Sequence, residues 1–118
     1  MNHIFDPDYD YIQNGIIFAQ VRAHQIAKRS GFWDKPPEIG TSIALMHSEL
    51  SEALEVARKD PNAMSTKVPQ IPALAEELAD CIIRILDFAK AHKINMGEAV
   101  VRKMIYNSTR EYKHGKKF

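Results

Sequence analysis

Apolar positions recur every three or four residues through four stretches of this chain, and breaks rich in Pro, Gly and Asn separate them. That period belongs to amphipathic helices; no stretch alternates as a strand would. The first helix is expected from Tyr9 to Ser30. Asp6-Pro7 opens it, because Pro suits the first helical turn, and Gly31 fits the residue just past its end. A loop, Phe32-Trp33-Asp34-Lys35-Pro36-Pro37, leads to a second helix from Glu38 to Lys59. Asp60-Pro61-Asn62 breaks that helix, and a loop containing Pro61 and Pro69 follows. The third helix is expected from Pro72 to His92. The fourth opens at Asn95, with Glu98 three residues on as a variant of the capping box. It ends near Arg110, before a Gly-containing tail. Long helices with short connections predict an all-α, four-helix bundle-like chain. The 118 residues read as a single domain. Two long carboxylate-bearing helices in so short a chain point to homo-oligomerisation as the way its core is completed.

The second helix breaks the simple two-sided pattern. Ile39, Ile43, Met46, Leu50, Leu54 and Ala57 form one apolar stripe. Ser48, Ser51, Glu55 and Arg58 form a polar face. Glu49 and Glu52 belong to neither. They share a third sector with Leu45, four residues before Glu49, and Val56, four after Glu52. Two acids so flanked are expected to face something other than bulk water, whereas Glu55 sits where a solubilising Glu should. On the third helix Leu74, Leu78, Ile82, Ile85 and Ala89 form the expected core stripe. Glu77 and Asp80, three apart, share a face beside it. Glu76 and Asp87 lie further round and read as surface.

Four carboxylates converging between helices repel one another unless a cation neutralises them, and burying one unpaired is costly. A hard divalent ion with oxygen ligands answers that need. Acids without Cys or a well-placed His favour Mg2+ or Mn2+ over Zn2+ or copper. On spacing alone, the alternative is two surface pairs bridged by Lys and Arg.

Charge and composition narrow the classes further. The net charge of +1 selects no partner, but six of the sixteen Lys and Arg lie from Arg102 onward, opposed only by Glu111. Lys103, Asn107 and Arg110 fall at i, i+4 and i+7, in one sector of the fourth helix. An ammonium, an amide and a planar guanidinium together suit phosphate oxygens; a solvated basic face is the plainer alternative. No nucleic-acid recognition motif accompanies this tail, so no nucleic-acid partner is expected. No membrane span is expected either. The first residues, MNHIFDPDYDY, lack the basic and apolar regions of a signal peptide. The single cysteine, Cys81, excludes an intrachain disulfide and suggests a reduced, cytoplasmic setting.

Glu49-x-x-Glu52 in HSELSEALEVA and Glu77-x-x-Asp80 in EELADCIIRIL, on consecutive helices, resemble the metal motif of the MazG-like all-α nucleoside triphosphate pyrophosphohydrolases. That superfamily includes dimeric dUTPases, dCTP pyrophosphatases and phosphoribosyl-ATP pyrophosphohydrolases. The resemblance runs from about Phe32 to the C-terminus. Ser48 departs from it, standing where the strict motif has a leading Glu. Arg84 departs too, where many relatives carry an apolar or aromatic residue; it is placed to pair with Asp80 or to reach phosphate.

The resemblance implies cleavage of a nucleoside triphosphate to the monophosphate and pyrophosphate. It implies Mg2+, or Mn2+, held by Glu49, Glu52, Glu77 and Asp80, and a homodimer or homotetramer. It makes Lys103, Asn107 and Arg110 a phosphate- and sugar-binding helix. It also makes Trp33 or Phe32 a stacking surface for the base, although Trp33 serves equally as a core or interface anchor. Water is the expected nucleophile, because neither Cys81 nor Ser48 nor Ser51 belongs to a triad pattern. Phosphoribosyl-ATP pyrophosphohydrolase chemistry and a non-catalytic helical interaction module are the competing readings.

Overall fold

The computed structural model describes residues 6–117. Residues 1–5, on which the reading of a missing leader partly rests, lie outside them. Among the described residues the regular structure is helical: α1 Pro7–Arg29, α2 Ile39–Lys59, α3 Ala73–Ala91 and α4 Met96–Ser108, then a short helical turn Tyr112–Gly115. Each long helix starts and stops within two residues of its expected bounds. None is long and apolar enough to cross a membrane.

The boundaries follow from local chemistry. Asp6 caps α1 by accepting from the Asp8 amide at 2.9 Å, with Pro7 in the first turn. At the other end Gly31 takes a left-handed φ of 91°, which a Cβ would resist. Phe32 N then donates to Ala27 O, and Gly31 N to Lys28 O, closing a Schellman motif. Asn95 caps α4 by accepting from Glu98 N at 2.9 Å. The α2–α3 connection is ordered by its own backbone: Ser65 N donates to Ile71 O and Ala73 N to Ala63 O.

The helices pack in sequence α2 on α3, α3 on α1, and α1 on α4. This is an open chain of pairs rather than a closed bundle. The radius of gyration, 16.7 Å, exceeds the roughly 13–14 Å of a compact domain this long. The core is correspondingly thin: Ala53, Cys81, Ala89, Val101 and Ile105 are its buried apolar residues. The expected core stripe of α3 therefore requires a correction, and the apolar stripe of α2 is open as well. Ile39, Ile43, Leu50 and Leu54 on α2 are 43–54% exposed, and Leu78 and Ile82 on α3 are 43% and 56% exposed. The reason is geometric. α1 packs on α3 and α4 on α1, so none of them covers Leu78, Ile82 or the exposed α2 positions, whereas Ala89 of the same α3 stripe is buried.

Two residues hold α4 against α1. Gln20 is buried; its Nε2 donates to Ile94 O at 2.8 Å and its Oε1 accepts from Met96 N at 3.0 Å. Gly97 is buried at the crossing, where a Cβ would run into the Gln13 carbonyl and lie 2.9 Å from Ile17 Cγ1. Gly97→Ala is accordingly expected to destabilise by about 1–3 kcal/mol through overpacking. Gly15→Ala, with open space around the added methyl, should stabilise slightly. Thermal denaturation of both variants checks this; equal melting temperatures would mean the crossing is looser than it stands.

Candidate functional site

α2 and α3 meet through their acidic sectors, not their apolar stripes. Glu49 is 7% exposed, as its sector predicts, and Ala53 one turn on is 5% exposed; Glu52, expected to share that shelter, is instead exposed, as Glu55 is. Glu52 meets Glu77, and one turn back on α2 Glu49 reaches Arg84, further along α3. These are the pairings of antiparallel helices. Carboxylate oxygens of Glu49, Glu52 and Glu77 lie within 4.8 Å of one another, and so do those of Glu76, Glu77 and Asp80. Glu77 belongs to both groups.

Crowding like charges in a partly desolvated place raises their proton affinity. Glu77 is pushed from 4.5 to about 7, first by burial, then by its hydrogen bond with Glu52 and by the charges of Glu52, Asp80 and Glu76. Asp80 is also raised, by burial first and then by Glu49 and Glu76, while Lys67 and Arg84 pull it back. Oε2 of Glu77 is shut off from solvent and has no hydrogen-bond partner among the described residues. A buried acceptor left unmatched costs free energy. The donor set, all carboxylate oxygen with one oxygen unmatched, fits a hard divalent cation.

Two acids read as surface are not surface. Glu76 accepts a hydrogen bond from the Ser65 hydroxyl, and Ser65, buried in the α2–α3 loop, also accepts from Val68 N at 2.9 Å. Asp87 Oδ1 bridges His24 Nδ1 at 2.7 Å and the Trp33 indole N–H at 2.9 Å. His24, expected to be a simple polar position, thus ties α1 to α3. The signal was present only as isolated polar residues: their partners are 11 to 63 residues away.

A cavity of about 820 Å³ opens between α1, α2, α3 and the loop after α1. That is the size range of small-molecule sites. Glu49, Glu52, Glu77 and Asp80 line it together with Arg22, Lys67 and Arg84, and Phe32 and Trp33 contribute aromatic wall. Trp33 is fixed edge-on to His24, ring centroids 5.3 Å apart, with its N–H committed to Asp87. Phe32 is 71% exposed and carries no such commitment. Lys103, Asn107 and Arg110 do not line this cavity. α4 ends at Ser108, so Arg110 lies beyond the helix on which the three were expected to share a sector; Lys103 and Arg110 both lie against the Tyr106 ring, and the Asn107 Oδ1 is buried with no hydrogen-bond partner among the described residues. Their helix packs on α1. The cavity's cations are instead Arg22 and Lys67, which the sequence does not single out, and Arg84, which was expected to pair with Asp80 or to reach phosphate and pairs with Glu49.

No family model, curated protein or solved structure matches this chain.

Proposed function

We propose that this protein is a Mg2+-dependent nucleoside triphosphate pyrophosphohydrolase, releasing a nucleoside monophosphate and pyrophosphate from a deoxynucleoside or non-canonical triphosphate. The observation that carries the reading is Glu77: an unmatched, desolvated carboxylate oxygen among three further acids on a cavity wall that also carries cations. Glu49, Glu52, Glu77 and Asp80 would hold the metal. A bound divalent ion supplies charge neutralisation and acidifies a coordinated water. Arg22, Lys67 and Arg84 offset the charge of the phosphates. Phe32 offers a free aromatic face to the base, and Asp87 holds Trp33 and His24 rigid behind it. A role for Lys103, Asn107 and Arg110 on phosphate then requires them to serve a site other than the cavity of their own chain.

The open apolar faces of α2 and α3 support the second half of this proposal, a homodimer or a dimer of dimers, since closed symmetry buries the same face on both copies. A non-catalytic helical module also accounts for these faces, but it leaves the Glu77 cluster without a purpose. A cytoplasmic setting suits an enzyme acting on the free nucleotide pool.

The direct test is pyrophosphate release from a panel of canonical and modified nucleoside triphosphates, with and without Mg2+. Release that needs Mg2+ and yields a monophosphate is the expected result. Absence of release across the panel, or release indifferent to Mg2+, would overturn the reading.

A further inference from the structure

Arg84 lies outside the acidic pattern, yet it makes the ion pair that neutralises the most buried member of the cluster. Its Nε donates to Glu49 Oε1 at 2.7 Å, from α3 to α2. The two partners are unequally placed: the Glu49 side chain is 9% exposed, that of Arg84 41%. The carboxylate is therefore fixed in the wall, while the guanidinium keeps access to solvent and to the cavity it lines. Among the described residues Glu49 has no other cation within ion-pair distance. A carboxylate this desolvated needs a counter-charge whenever the cluster is otherwise unfilled. One Glu49 oxygen also lies within 4.8 Å of an oxygen of Glu52 and of Glu77, so a cation held by these three acids would draw on the carboxylate that Arg84 neutralises.

We propose that Arg84 is a displaceable counter-ion. It neutralises Glu49 while the acidic cluster holds no divalent cation, yields Glu49 when a cation enters, and then serves as a phosphate ligand in the same cavity. The proposal rests on the metal-dependent reading above. The exchange removes one positive charge from Glu49 as two arrive, and moves the guanidinium's charge towards the space a triphosphate would occupy. Metal and triphosphate are then coupled: each favours the arrangement the other needs. The competing arrangement keeps Arg84 on Glu49 throughout, orienting it as a ligand. In that case Arg84 supports cation binding rather than opposing it. The two predict opposite signs for the same substitution.

The test is Mn2+ binding to the substrate-free protein, followed by loss of the free-ion electron paramagnetic resonance signal, for wild type, Arg84→Gln and Glu52→Gln. Helicity by circular dichroism accompanies each. Breaking a charge-assisted hydrogen bond before metal can bind should cost wild type about ten-fold in affinity, so Arg84→Gln should bind Mn2+ about ten-fold more tightly. Unchanged or weaker binding by Arg84→Gln overturns the proposal; if Glu52→Gln still loses Mn2+ relative to wild type, the metal site itself stands. Absence of Mn2+ binding by wild type would take the metal-dependent reading down as well. The wild-type protein gives a second readout that needs no variant to fold. The Arg84 Nε–H, assigned by through-bond correlation, should exchange slowly in metal-free protein and lose that protection on saturation with Mg2+. A proton that stays protected at saturating Mg2+ overturns the displacement.

Discussion

Glu77→Gln is expected to lower Mg2+-dependent turnover by at least about 100-fold while making the metal-free protein more stable at alkaline pH. Both effects follow from one carboxylate. In the folded, metal-free chain Glu77 keeps its proton up to about pH 7, against an ordinary value of 4.5. Between those values the unfolded chain binds fewer protons than the folded one, so stability falls as pH rises. The contribution is fully present below about pH 4.5 and gone above about pH 7. Metal-free wild type should therefore melt at a lower temperature at pH 8 than at pH 5.5, by roughly 4 °C or more. Mg2+ competes with that proton and should stabilise far more at pH 8 than at pH 5.5. The glutamine carries no charge to desolvate, so the variant should lose this part of the pH slope and most of the stabilisation by Mg2+. Thermal melts across pH, with Mg2+ or EDTA, measure all of it. Wild-type turnover by Glu77→Gln at limiting Mg2+ would remove Glu77 from the site.

If the proposed oligomer forms through the open apolar faces of α2 and α3, Leu50→Asp is expected to leave a monomer at micromolar concentration where wild type associates. Leu50 is 48% exposed and shares its face of α2 with Ile43 and Leu54, and these, like Ile82 on α3, are open in the single chain. Completing the burial of each such side chain contributes about 1 kcal/mol, and a symmetric pair counts every one twice. That gain is of the same order as the cost of association, about 4–15 kcal/mol. A carboxylate at the centre of such a contact would be desolvated without a partner. The change is mild for an isolated chain, because the position is solvated there. Ala53→Asp is the contrast: Ala53 is 5% exposed between α2 and α3, so an acid there should unfold the chain itself. Light scattering and circular dichroism separate the two outcomes. A wild-type monomer with full helicity would show that the stripes are solvated surface.

The helices and the unusual sector of α2 are legible from local residue order alone. Asp6-Pro7, Gly31 and Asn95 act on backbone groups within five residues of themselves, so their effect can be read without knowing where the rest of the chain goes. Glu49 falls off both the apolar and the polar face by helical period alone, and it is buried. Period does not say which of two apolar-flanked sectors a neighbouring helix will take. The Ile39–Leu54 stripe is the more hydrophobic of the two, but within one chain α3 packs on the acidic sector instead. Glu76 and Asp87 looked like surface because their partners, Ser65 and the pair His24 and Trp33, come from other elements. Lys103 and Arg110 both lie against the Tyr106 ring, yet Gln20 and Gly97 dock α4 on α1, with both cations outside the cavity lined by Glu49 and Glu77. Tertiary structure decided these matters for one physical reason. Capping and helical period act between residues a turn apart, whereas Gln20 with Met96, or Glu49 with Arg84, joins groups 76 and 35 positions apart, and only the packed chain selects those pairs.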